Sequence, residues 1–403
     1  VSDLEVSFAS RIRDVPRAEW DSVASRYGNP LLSWGFLALL EASGSMTPET
    51  GWTGAHALAR KDGELVAAAP FYIKTHSWGE FVFDFEFAEI AQRAKAEWYP
   101  KLVGMVPATP APAWRVLVRA DPSRGPEEEG RIATALLEAA CRAARDAGLA
   151  GAHVLWPEPD TAALLRGQGS ASGTAGGWAE WEHQAFLWTD EGYGDFRGYL
   201  DSFSKNMRRN VGRERQAVAS AGVATRIVGP AEAAAKPGLL SAMADLYESH
   251  NDKFGPWAAK FLERDFFLRL PEFMPEGWAL SAAFADGDPE EPIALAFLLE
   301  GGDRLYGRFW GARTEIPGLH FELCYYLPIE YALSKGIGSF DPGMGSPHKA
   351  RRGFRSVMAP SFHRPFDRRL AAFMGRVLPD INAEERERAR ALDGDLPFKR
   401  LPG

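Results

Sequence analysis

The chain reads as an α/β protein of the α+β kind, with two domains in tandem, each a mixed, mostly antiparallel sheet flanked by helices. Three observations predict this. Its 403 residues exceed what one core usually holds, and two cores of about 180 residues each fit that length. A strand, then helices, then antiparallel strands can be read once in each half. A balance of 46% apolar to 25% charged residues is that of an ordinary globular chain. The predicted division is 1–190, 191–375 and a helical tail 376–403.

In the first half, 6–13 reads as a strand and Pro16 opens a helix. Ser33 can cap a second helix ahead of Trp34, Phe36, Leu37 and Leu40. Residues 55–60 and 64–74 form a hairpin about Asp62-Gly63, a strong turn pair. Phe81, Phe83, Phe85 and Phe87 then alternate as on one face of a strand. A cleft lined by them, with Asp84, Glu86, Tyr99 and Lys101 at its mouth, would hold an amphipathic substrate; the alternative is a half-buried strand with solvated loop charges. A helix over 127–147, a strand over 152–156 and a short helix from Asp160 follow. Residues 167–177 read as a flexible surface loop, and 180–188, carrying His183, closes the sheet.

The second half opens on a helix over 195–221 with an apolar stripe of Phe196, Leu200, Phe203, Met207, Val211 and Val218. Ser204 could also start a new segment there by capping. Lys205, Arg208, Arg209, Arg213 and Arg215 share the remaining arc with one acid, Glu214. Five cations exceed what i,i+4 pairs neutralise, so an anionic partner or a solvated helix face are both open. A strand over 223–228, helices near 239–250 and 260–270, and a meander of 278–284, 292–300 and 304–310 come next.

Residues 319–335 are apolar almost all round, as in a buried helix that ends at Gly336. Its one polar line, Glu322, Tyr326 and Glu330, is spaced i, i+4, i+8. A short strand over 339–341 stops at Pro342; Gly343 and Gly345 permit a tight turn; Ser346-Pro347 reads as a helix entry. His348, Lys349, Arg351 and Arg352 follow, a plausible anion seat or else a solvated basic rim. Residues 357–364 should complete the sheet.

Net charge of −8 argues against a nucleic-acid coat, so no DNA partner is expected. Two cysteines, Cys141 and Cys324, in predicted helices suit a reducing compartment and structural roles. No apolar run reaches the roughly 18 residues of a membrane span, and no basic-then-apolar leader is read. A cytoplasmic protein with no membrane insertion is expected. The eight His show no metal spacing, so no metal is predicted. The Gly343 turn lacks the glycine that precedes a P-loop lysine, and no nucleophile elbow occurs.

The stretch 319–354, LHFELCYYLPIEYALSKGIGSFDPGMGSPHKARRGF, resembles the FemAB-like predicted N-acyltransferases of the wider GNAT-type superfamily. So do 83–110, FDFEFAEIAQRAKAEWYPKLVGMVPATP, and 204–216, SKNMRRNVGRERQ. The resemblance implies two tandem GNAT-like domains and transfer of an acyl or aminoacyl group to an amine. By analogy it also implies a muropeptide-like, anionic peptidoglycan precursor as acceptor. The donor would be an aminoacyl-tRNA or acyl-CoA, with no tightly bound cofactor. GNAT enzymes seat the CoA pyrophosphate on an Arg/Gln-x-x-Gly-x-Gly/Ala loop; here 311–318 reads GARTEIPG, where Pro317 removes an N–H and the glycine spacing differs.

Direct attack by an amine needs a proton acceptor and oxyanion stabilisation. Glu322, Asp341 and His320 are the candidate bases, with Glu322 preferred and Tyr326 orienting it or the substrate. A structural pair of Glu322 with an arginine such as Arg308 is equally open. Substrate contacts are assigned to Tyr99, Lys101, Asp84, Arg208, Arg209, Arg213, His348 and Lys349. An acyl-CoA-dependent GNAT with an atypical pyrophosphate site, or a non-catalytic module recognising cell-wall precursors, are the competing readings.

Overall fold

A computed structural model describes residues 4–168, 177–255, 258–286, 288 and 290–399. Most of the expected glycine-rich loop, 169–176, lies outside the described residues. The chain forms two compact units, Val1–Gln184 with Met358–Glu387 and Ala185–Val357 with Arg388–Gly403. The linear cut expected at 190 therefore differs from the observed division, because 358–387 returns to the first unit. That return is a long-range strand pairing, which local patterns do not encode.

In the first unit, β1 (Glu5–Ala9), α1 (Arg17–Ala24) and α2 (Trp34–Ala42) precede β2 (Trp52–Gly54), β3 (His56–Lys61), β4 (Glu64–Ala69) and β5 (Phe71–Lys74). Ser33 caps α2 as its sequence predicts, accepting from the Phe36 N–H at 3.2 Å. Asp62 and Gly63 both take positive φ, which makes the β3–β4 hairpin tight. The strand expected over 64–74 is two strands, because Pro70 has no N–H to continue a ladder. β4 joins a sheet with β1, β3 and the later strand Leu117–Val118, whereas β5 pairs with β2 and the later strand Lys101–Gly104.

The alternating phenylalanines do not form a strand. Phe81 takes a left-handed φ, and α3 (Phe85–Arg93) starts within the run. Phe83 is 63% exposed, while Asp84 is drawn inward. Then come β6 (Lys101–Gly104), β7 (Leu117–Val118), α4 (Pro126–Asp146), β8 (Gly151–Leu155), α5 (Pro159–Gly167) and β9 (Ala179–Thr189). β6 and β8 pair in parallel.

The single helix expected over 195–221 is α6 (Phe196–Asp201) and α7 (Lys205–Ser220), with extended Ser204 between them at the head of α7, its side chain making no capping bond. After β10 (Val223–Val228) come α8 (Pro230–Ala235), α9 (Pro237–Asp252), α10 (Arg264–Leu268) and α11 (Leu270–Phe273). The meander is β11 (Trp278–Ala285), β12 (Pro292–Gly301) and β13 (Arg304–Ala312). α12 (Leu319–Phe321) passes through a π-helical stretch, Glu322–Tyr326, into α13 (Leu327–Lys335), which Gly336 ends in a left-handed conformation. β14 (Ser339–Asp341), a 3₁₀ turn (Pro347–Arg352), β15 (Arg355–Pro365) and α14 (Arg368–Leu392) complete the chain. The tail helix thus begins before the expected 376.

The second unit's core gathers Trp188, Tyr199, Phe203, Leu305, Ile329, Phe340 and Phe354. In its sheet β10, β11, β12 and β13 are antiparallel neighbours, β14 lies parallel to β13, and the end of β9 follows. β13 also packs closely on α9: a Cβ at Gly311 would collide with the Leu246 carbonyl. Gly311→Ala should therefore lower stability by about 1–3 kcal/mol, the usual overpacking cost, as read from urea unfolding.

Candidate functional site

The parallel pair β13–β14 makes only three registers, Arg304 with Ser339, Leu305 with Phe340 and Tyr306 with Asp341. β14 then turns away at Pro342 while β13 runs on to Ala312. The strands part, and a cavity of about 760 Å³ opens where they do. A ligand crevice beyond strand ends is a recurrent outcome of such topology. β13 also bulges here. Leu298 pairs with Gly307 but Ala296 pairs with Trp310, so Arg308 and Phe309 together oppose Phe297. Bulges re-aim side chains, and this one places Arg308 in the cavity wall.

The glycine turn forms the facing wall. Gly343 and Gly345 take φ of 78° and 87°. Lys349 is buried and holds the turn, its Nζ donating to the Gly343 and Met344 carbonyls at 2.7 Å each. The expected helix start is only a 3₁₀ turn, and Ser346 does not cap it. The basic residues there divide: Lys349 and Arg352 are buried, His348 is half-buried, and Arg351 is solvated.

Between these walls lies a chain of hydrogen bonds. Tyr325 Oη sits 3.0 Å from His348 Nε2 and 3.4 Å from His320 Nε2, and Ser346 Oγ lies 2.5 Å from His348 Nδ1. Burial first, then Arg352 and Lys349, pushes His348 down to about 4. Burial, His348 and Arg352 push His320 down to about 4 as well. Both imidazoles are therefore neutral at neutral pH and weaker bases than a free imidazole. Burial and Arg308 lower Lys349 to about 8, against the pull of Asp341. Asp341 orients Arg308: its Oδ1 accepts from Arg308 Nη1 at 3.0 Å and from the Gly343 N–H at 2.8 Å. Cys324 also lines the cavity, and burial raises its thiol, so it stays protonated.

A second cavity of about 550 Å³ is lined by Glu214, Tyr326, Arg351, Arg352 and again His348. His348 therefore stands in the wall of both. Here the polar line of the buried helix meets α7. Glu322 accepts two bonds from Arg215 at 2.9 Å each, Arg215 also reaches Glu330, and Tyr326 donates to Glu214. Glu322 thus makes the expected pair with an arginine, but the arginine is Arg215, since Arg308 is taken by Asp341. Glu322 is 3% exposed and is among the lining residues of neither cavity. Burial raises its carboxyl while Arg215 opposes. Tyr326 is turned to Glu214 rather than to Glu322. Of the α7 cations, Arg208 pairs with Asp201 at 2.8 Å, Arg213 contacts Asn210, and Arg209 is exposed.

The three first-unit candidates do not sit at a cleft mouth. Lys101 and Asp84 are fully buried. Lys101 Nζ donates to Glu80 at 2.7 Å and Asp84 at 2.6 Å, Trp98 donates to Asp84 at 2.8 Å, and Ser77 joins Asp84 to Tyr99. Burial works against every charge here. It lifts Glu80 to about 7, but Glu80 and Asp84 outweigh it at Lys101 and keep the ammonium charged. Beyond them His153 and His363 face each other at 2.7 Å, and His183 bonds Ser361 at 2.7 Å. This is an interior network that leaves Glu80 Oε1 without a partner, and the reason for its burial is plain: one ammonium and two carboxyl groups bond one another before they can meet a ligand.

Arg308, Tyr325 and Trp310 were not nominated for the site. Their placement depends on the bulge and the π-helical stretch, which shift side chains by one residue. The adjacency of Tyr325 to the nominated Tyr326 was the nearest signal.

The fold is a two-unit α/β fold of mixed, mostly antiparallel sheets with flanking helices. The chain belongs to the FemAB-like family, whose model, described as peptidoglycan biosynthesis/recognition, matches residues 11–400. The C-terminal domain of a putative lysylphosphatidylglycerol synthetase from Agrobacterium fabrum is similar with TM-score 0.54 at 12% identity, over 90% of this chain and 97% of that one. The crystal structure of FemX gives TM-score 0.51 at 12% identity, over 90% and 98%. A conserved protein of unknown function from Bacteroides thetaiotaomicron gives 0.52 at 10%, over 89% and 99%. At these identities the likeness is one of fold. No curated protein matches. No helix among the described residues is long and apolar enough to cross a membrane.

Three outcomes follow from this geometry. Lys101→Met strands two buried carboxylates and should cost about 3–5 kcal/mol in urea unfolding. Glu322→Gln should weaken the Arg215 pair and cost about 2 kcal/mol, with Tm falling accordingly. For pH, His320 binds its proton near 4 when folded and near 6.5 when unfolded. Stability is thus whole above about 6.5 and is lost as pH falls toward 4; His320→Gln should flatten that decline in urea midpoints.

Proposed function

We propose that this chain is an N-acyltransferase that moves an acyl or aminoacyl group from an activated donor to an amine by direct attack. The observation that carries the reading is His348 in the shared wall of two cavities. A group transfer needs two substrates to meet at one point with a proton acceptor beside them. The amine nitrogen forms its bond to the donor carbonyl carbon and gives its proton to neutral His348; the carbon–leaving-group bond then breaks with its electron pair on the leaving oxygen or sulfur, which takes that proton from the imidazolium. Tyr325 and Ser346 fix that ring from either side, and His320 lies beyond Tyr325. Arg352 and Lys349, whose fields already act on His348, favour the negative charge on the carbonyl oxygen.

Asp341 then serves by orienting Arg308, and Tyr326 by lining the second cavity, while Glu322 is a structural anchor for α7. The donor we favour is an aminoacyl-tRNA rather than acyl-CoA. Arg313, in the place of the pyrophosphate loop, is engaged by Glu291. Arg209 and Arg213 on the exposed face of α7, with Arg208 beside them, suit a phosphate-bearing partner. A peptidoglycan precursor is the acceptor the family suggests.

Mass spectrometry of small molecules and RNA retained by the protein from cell extract would name the pair. With it, His348→Ala should lose about 10²–10⁴ in kcat at unchanged Tm, and Glu322→Gln should keep turnover once its lower stability is allowed for. Wild-type turnover by His348→Ala would sink the reading. Retained acyl-CoA without RNA would overturn the choice of donor.

A further inference from the structure

The larger cavity has a charge pattern that the transfer chemistry does not require. Among the described residues its charged lining side chains are Arg308 and Lys349, and no carboxylate lines it. Asp341 lies behind, spending Oδ1 on Arg308 Nη1 and the Gly343 N–H. Arg308 has a side chain only 4% exposed. Its Nη1 is held by Asp341 and by the Gly307 carbonyl at 2.7 Å, while its Nε and Nη2 have no partner. A buried guanidinium with two unused nitrogens is costly unless something meets them. Carboxylate and phosphate oxygens match that fork. The rest of the wall is aromatic, with Phe254, Phe297 and Trp310.

We infer that this cavity seats an amphipathic anion, its carboxylate or phosphate on Arg308 and Lys349 and its apolar body against Phe254, Phe297 and Trp310. The inference rests on reading the cavity as a substrate site, and it adds the class of substrate. One cation fixed on a β-strand and one on a turn hold the acid group from two sides. The aromatic walls then exclude water and strengthen the contact. A free amino acid derivative, an acidic peptide end or a phosphorylated metabolite would share this chemistry.

The test is calorimetric titration with three probes of one shape: benzoate, phenyl phosphate and the uncharged benzamide. Benzoate or phenyl phosphate should bind at least tenfold more tightly than benzamide, and the tighter of the two names the acid group. Arg308→Gln should abolish that preference and Arg308→Lys should restore part of it. Equal binding of all three, no binding of either anion, or an unchanged preference in Arg308→Gln overturns the inference. Should Arg308→Gln fail to fold, the wild-type comparison with benzamide decides alone. Turnover does not enter, so a failure here is distinguishable from a failure of the transfer reading, which His348→Ala tests.

Discussion

The second unit is arranged around a strand pairing that stops early. Parallel strands need continuous, slanted hydrogen bonds, and β13 and β14 sustain them for three residues before Pro342 ends the ladder. Beyond that point β14 gives β13 no further pairing, and the Gly307 carbonyl takes a bond from Arg308 Nη1 instead. The bulge at Arg308 and Phe309 adds local twist and turns Arg308 toward the cavity. The glycine turn, tied by Lys349, closes the far side. Each feature is a local backbone irregularity, and together they make the cavity.

The first unit answers a different problem. Lys101, Glu80 and Asp84 are withdrawn from water together, and the desolvation each suffers is offset by the others and by Ser77 and Trp98. Such a network contributes little net stability but tolerates no missing member. It fixes where α3 begins, because Asp84 immediately precedes that helix and points inward.

The regular elements were legible in the sequence. Residues 223–228, 319–335 and 339–341 lie where pattern and punctuation put them, and Ser33 caps as its type dictates. The chemistry was less legible. Alternating phenylalanines at 81–87 looked like a strand because period two is a strand signal, yet the burial of Asp84 decided the local fold. Glu322 looked like a base because it is the lone acid in an apolar turn, but Arg215, over a hundred residues away, neutralises it. Arg308 was visible only as a possible partner, since nothing local marks a bulge. Long-range pairing decides which charges are spent and which are left for a ligand.

The π-helical stretch at Glu322–Tyr326 has one more effect. It carries a pair of tyrosines that are consecutive in the chain but belong to different rooms: Tyr325 faces the larger cavity and Tyr326 the smaller. Their independence is one-sided: Tyr325 also bonds His348, which lines both chambers, so variation at 325 reaches both, whereas variation at 326 is felt in the smaller. A one-residue insertion or deletion in that stretch would instead rotate both faces at once.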